Sequence, residues 1–280
     1  MRKGRTRSKR DHGGRGGRRA GDSSRGAGNR EWLYGRRPVA ECLRAGRRRV
    51  FGVIVAEGGR GRPDLRLIEE AAAERGVDME RAPAPRLNER VGDVNHQGIA
   101  MEVSLFPYEG TDGWMPPRGR VAAPEALILL LDHIQDPQNL GSILRTADAA
   151  GVEAVVIPKD RACGVTPAVV RASAGAAEHL RISRVVNLAR LMREMRDRGF
   201  RLVGLDHGPE ARLCGEMKLD GPLGLVAGSE GRGLGRLVRD TCDRLMRLPM
   251  RGRVDSLNVG VATAVALYSI NRVARGEGTA

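Results

Sequence analysis

The chain has 280 residues, 41% apolar and 29% charged, enough for two packed cores. Its longest weakly polar run, Val259 to Ile270, falls short of the roughly 18 to 20 residues a membrane span requires. The net charge is +14, and residues 1–30 hold eleven Lys and Arg against two Asp, so nine of those charges lie in the first tenth of the chain.

That first segment, with "MRKGRTRSKRDHGGRGGRR", is Gly- and Arg-rich without apolar periodicity. It cannot bury enough surface to offset its ordering entropy, so a disordered basic tail is expected, suited to phosphate contacts with nucleic acid or to plain solubility. It lacks the apolar core and cleavage site of a secretory signal, and a cytoplasmic protein is expected. Four cysteines (42, 163, 214, 242) show no C-x-x-C pair, and the five histidines show no H-x-x-x-H pair. Reduced thiols and no metal centre follow.

After the tail, "EWLYGRRPVAECLRAGRRRVFGVIVAEG" reads as a short helix around Pro38 to Ala45, then a strand over Val50 to Val55. "PDLRLIEEAAAERG" reads as a second helix with Asp64 as its N-cap and Gly76 just past its end, keeping Leu65, Ile68 and Ala72 on one stripe. "HQGIAMEVSLF" closes a small α/β unit over 31–105. Residues 106–124, "FPYEGTDGWMPPRGRVAAP", are rich in Pro and Gly without periodicity, as an interdomain linker would be.

From 125 onward, apolar strands recur ("EALILLLDHI", "EAVVIP", "RISRVV", "FRLVGLD", "PLGLVAG"). Helical patterns lie between them, with Asn139, Thr166 and Asn187 as N-caps and with Gly151 and Gly199 ending the first and third helices. Strands apolar on both faces alternating with helices predict a parallel α/β sheet. In such a sheet the ligand crevice lies beyond the carboxyl ends of the strands. Three segments occupy those places: "DPQNLGSILRTADAAG" (136–151), "GSEGRGLG" (228–235) and "LPMRGRVDSLNVGVATAVAL" (248–267). No G-x-G-x-x-G or G-x-x-x-x-G-K-[ST] pattern is present, which removes dinucleotide and P-loop readings. Taken alone, the glycines of 228–235 also fit a simple turn.

Together and in this order, the three segments resemble the signature of the SpoU/TrmH branch of the SPOUT superfamily, S-adenosylmethionine-dependent RNA ribose 2′-O-methyltransferases. The resemblance runs through 125–275 of a domain set at 125–280, including "ADAAGVEAVVIPKDRA" and "ASAGAAEHLRISRVVNLAR". The first unit, with "YGRRPVAECL" and "HQGIAMEV", resembles the L30e-like substrate domain of the bacterial 23S ribosomal RNA guanosine 2′-O-methyltransferases. It implies a parallel-sheet SPOUT domain with a trefoil knot, an obligate homodimer with sites at its interface, S-adenosylmethionine as methyl donor without a metal, and an RNA partner. It also implies catalytic roles for Asn139, Arg145, Glu230, Ser256 and Asn258, and contacts to the adenosyl group from Val226, Gly228, Leu248, Met250 and Leu257.

Each of these residues also has an ordinary reading. Asn139, Ser256 and Asn258 could be helix caps, Glu230 a solvated loop carboxylate, and Arg145 a snorkelling surface residue. Arg145 stays cationic at neutral pH, which favours a clamp on the target phosphate, although the family has also been discussed with this arginine as base. Two departures from the pattern are Gly260, where relatives often carry serine, and Asp255, an added charge beside the motif. Three alternatives stand beside 23S RNA methylation: transfer-RNA 2′-O-methylation, methylation of ribosomal RNA that confers antibiotic resistance, and RNA binding without catalysis.

Overall fold

The computed structural model describes residues 29–57, 63–253 and 256–274; residues 1–28 of the expected basic tail and Asp255 lie outside them, and Arg30, its last expected residue, opens a strand. The first unit is a four-stranded sheet. Strand β1 (Arg30–Tyr34) leads into α1 (Arg36–Ala45), β2 (Val50–Ala56) and α2 (Pro63–Glu74), followed by β3 (Met79–Ala82), α3 (Ala84–Val91) and β4 (Ile99–Ser104). The sheet order is β1-β4-β2-β3, antiparallel at β4 and parallel between β2 and β3. β1, β3 and α3 are additions to the sequence expectation, being too short to show a period. Asp64 is not the cap of α2: it sits inside the first turn, where its carboxylate pairs with Arg36 at 2.6 Å.

The second sheet is built from seven strands, all paired in parallel. β5 (Leu127–Asp132), α4 (Pro137–Ala149), β6 (Ala154–Pro158), α5 (Pro167–Ala172), β7 (Arg181–Val185), α6 (Leu188–Arg196) and β8 (Arg201–Leu205) follow in turn. β9 (Arg212–Leu213), β10 (Leu223–Gly228), α7 (Arg236–Thr241), β11 (Arg244–Arg247) and α8 (Val259–Ala274) complete it. The order β7-β6-β5-β10-β8-β11-β9 puts β5 and β10 side by side in the middle, with Gly228 in register with Asp132. Alternate residues of β5 serve opposite faces. Leu127, Leu129 and Leu131 pack with α4, α5 and α8, while Ile128 and Leu130 pack with α6. Each such leucine contributes roughly 1.5 to 3 kcal/mol by leaving water, which explains the near-continuous apolar run of this strand.

Thr166 and Asn187 cap α5 and α6 as expected. Helix α4 differs: its cap is Asp136, whose carboxylate accepts from the backbone N–H groups of Gln138 and Asn139, with Pro137 at the first helical position. Asn139 therefore stands one turn in, and its carboxamide is left for other partners.

The two sheets share one core, in which Leu33, Val39 and Leu43 join Leu140, Ile143 and Val169. A buried ion triad crosses the same boundary. Arg48 places Nε 2.9 Å and Nη2 2.8 Å from the two Glu178 oxygens, and its Nη1 donates to Glu31. The Arg48 and Glu178 side chains are 0% and 1% exposed. Burial pushes the Glu178 carboxyl above its ordinary value even with Arg48 beside it. Residues 106–124 are packed rather than loose: Trp114 and Met115 are buried, Trp114 Nε1 donates to Ser183 Oγ at 2.9 Å, and the backbone bonds to Ile182 and Arg198.

Candidate active site

Loops following β5, β10 and β11 gather at the carboxyl end of the second sheet. Asp132 closes the apolar run of β5, and its buried carboxylate accepts from the Gly235 N–H at 2.7 Å while its other oxygen meets His133 Nδ1 at 2.5 Å. The loop after β10 is thereby pinned to the loop after β5. That loop folds back on itself through a pair of backbone hydrogen bonds between Ser229 and Gly233. Gly228 is needed at its base, because a Cβ there would stand 2.2 Å from the Gly233 carbonyl carbon.

Glu230 projects from this turn toward the start of α8. Asn258 Nδ2 donates to Glu230 Oε1 at 2.6 Å and to Asn139 Oδ1 at 2.8 Å, so one carboxamide joins all three segments. Its oxygen has a separate task, accepting from the Gly260 N–H at 2.9 Å and from Val261 as the cap of α8. The cap reading and the site reading of Asn258 thus hold at once, on opposite ends of one amide. At Gly260 a Cβ would lie 3.1 Å from Asn258 Oδ1 and 3.2 Å from Ser142 Oγ of α4, a tight fit that a shift of a few tenths of an ångström would relieve.

A cavity of about 580 Å³ opens beside this cluster, lined by Asn139, Glu230, His133, Gln135, Arg161 and Arg232 among others. His133 takes a left-handed φ of 61°, a conformation that is uncommon outside glycine and concentrates at functional sites. Sequence reasoning passed over the Asp132–His133 pair, although a carboxylate ending an otherwise apolar strand is a visible signal. Among the described residues no group of His, Cys, Asp and Glu could hold a metal. Burial raises all four thiols, Cys42 and Cys242 to about 12, so they remain protonated.

The other predicted residues fall into three groups. Ser256 and Leu257 are exposed just ahead of α8, and Leu248 and Met250 follow β11 at the same end of the sheet. Leu257 and Met250 leave 42% and 40% of their surface open. Val226 is 0% exposed, its side chain packed in the second core cluster. Arg145 is not brought to the cluster within the chain. It is exposed on α4 and lines a second cavity, of about 740 Å³, with Arg37, Glu41 and His179.

Residues 126–268 match the family model of the SpoU rRNA methylase family, and residues 32–109 match that of RNA 2′-O ribose methyltransferase substrate binding. An "uncharacterized tRNA/rRNA methyltransferase" of Mycobacterium avium is 42% identical over 88% of this chain and 78% of its own length. The 23S rRNA (guanosine-2′-O-)-methyltransferase RlmB of Xanthomonas axonopodis is 41% identical over 86% and 96%. Among solved structures, the SpoU methyltransferase AviRb of Streptomyces viridochromogenes in complex with AdoMet superposes with a TM-score of 0.72 at 26% identity, over 90% of this chain and 92% of that one.

Proposed function

Since the chain belongs to the SpoU rRNA methylase family, we propose that it methylates ribosomal RNA, transferring a methyl group from S-adenosylmethionine to a ribose 2′-hydroxyl, with a guanosine of 23S RNA as the target. The observation that carries the assignment to this site is the Asn258 carboxamide joining Asn139 and Glu230 where three strand-end loops meet.

S-adenosylmethionine, when bound, supplies an electrophilic sulfonium methyl, so the protein's part is alignment and charge placement. Gly228, Leu248, Met250 and Leu257 hold the donor, with the exposed Met250 and Leu257 covering its adenosyl group. Glu230 Oε1 is taken by Asn258, leaving Oε2 to accept from the ribose hydroxyl and point its oxygen at the methyl carbon. Ser256 lies at the same edge and offers a further hydroxyl to the substrate.

We read Arg145 as acting across a homodimer. Val261, Val265 and Tyr268 form a stripe on α8 with 49%, 42% and 54% of their surface open, an apolar face suited to a second copy. The partner's α4 arginine would then approach the site as a fixed cation for the target phosphate. We also read the segment leaving β11 and returning over α4 as α8 as the threaded end of a trefoil knot. No described helix is long and apolar enough to cross a membrane, in keeping with work on ribosomal RNA in the cytoplasm.

The test is incubation of the purified protein with methyl-labelled S-adenosylmethionine and separate 23S, 16S and transfer RNA, followed by nucleoside analysis. Label in 2′-O-methylguanosine from 23S RNA is expected. Label confined to transfer RNA, or calorimetry in which the folded protein ignores the donor, would overturn the proposal.

A further inference from the structure

The chain has only eight aromatic side chains, and three of them, Trp32, Tyr34 and Phe51, lie on one face of the first sheet. Trp32 and Tyr34 alternate along β1 with Leu33, which points into the core. Phe51 is the extra residue of a bulge in β2, between Val50 and Gly52, and it lies beneath Arg30 of β1. Arginines stand against these rings. The Arg30 guanidinium is 3.8 Å and that of Arg49 5.1 Å from the Phe51 centroid, and Arg90 is 5.7 Å from that of Trp32. Among the described residues, Arg49 and Arg90 make no ion pair, and Arg30 shares Glu102 at 3.4 Å. The ground beside Phe51 is open, since a Cβ on Gly52 would meet nothing within 4 Å. α3 covers the rest of the face through Leu87, leaving Trp32 and Phe51 half-buried at its edge.

We propose that this arginine-flanked aromatic face binds unpaired nucleotides of the RNA substrate, stacking bases on Phe51 and Trp32 and pairing phosphates with Arg30, Arg49 and Arg90. Half-exposed rings on a sheet give a sequence-tolerant surface for bases. Guanidinium groups already lying over those rings can shift to phosphate without leaving the surface. Leucines there would exclude water equally well but offer a base no flat partner. This is the face opposite Leu33, which packs toward the second sheet, and none of its residues belongs to the Asn139–Glu230–Asn258 cluster, so it governs substrate grip and not the methyl transfer step. The inference rests on the RNA methyltransferase reading above and names the surface that holds the substrate.

The experiment titrates ribosomal RNA fragments containing single-stranded loops into the full chain while following tryptophan emission. Trp114 is buried, so quenching by a stacked base reports Trp32. Quenching that disappears in Trp32→Phe is expected. Phe51→Ala should weaken RNA binding about tenfold to a hundredfold, and the triple variant Arg30→Ala, Arg49→Ala, Arg90→Ala should flatten the salt dependence of binding. In both, donor affinity and kcat at saturating RNA should stay at wild-type values. If Phe51→Ala fails to fold, the surface arginine variant and the quenching decide. Wild-type RNA affinity and salt slope in the variants, with tryptophan emission unmoved, would overturn the inference. A wild-type protein that methylates no RNA would instead remove the function proposed above.

Discussion

The Arg48–Glu178–Glu31 triad and the Asn139–Glu230–Asn258 cluster are both assembled from residues far apart in the chain, yet they differ in what surrounds them. The triad is sealed between the two sheets, with Glu178 Oε2 accepting from Arg48 Nε and Oε1 in ion-pair contact with Nη2 at 2.8 Å. The cluster lies beside an open cavity, and Glu230 spends only one oxygen on its neighbours. Buried charge with matched partners holds two units in register. Polar groups with unspent hydrogen-bonding capacity at strand ends are available to a substrate.

Breaking the triad should give the largest effect. Arg48→Ala strands Glu178 without a counter-charge and should cost about 3 to 5 kcal/mol of stability, read as a fall in the denaturant midpoint; a midpoint within error of wild type would mean water reaches Glu178. At the cluster the pattern should invert. Glu230→Gln keeps the size of the side chain but loses its charge, and methyl transfer should drop about a hundredfold to a thousandfold while the melting temperature stays within a degree or two. An equal loss of melting temperature and turnover would make Glu230 structural. Asn258 belongs to both classes, so Asn258→Ala sharpens the contrast. Loss of the cap should cost about 1 kcal/mol, and turnover should fall further than that instability explains; Asn258→Asp should restore the cap but not the rate, because its carboxylate cannot donate to Glu230 and Asn139 and repels the Glu230 carboxylate.

The parallel sheet was legible because β5 and β10 are apolar on both faces and their helices carry recognisable starts. Asn139, Glu230 and Asn258 were legible as members of three separate segments, and the structure places them within hydrogen-bond reach. Their division of labour was hidden. Asp136 and Asn139 are equally able caps by residue type, and the fixed φ of Pro137 selects Asp136. Residues 106–124 carry no periodicity because Trp114 and Met115 anchor them individually.

The bond between Asn258 and Asn139 spans 119 positions of sequence. A growing polypeptide that has released the whole seven-stranded sheet from the ribosome still lacks the amide that ties its three loops together. Chemistry is therefore the last property the molecule acquires during synthesis, after every strand of its sheet has been made.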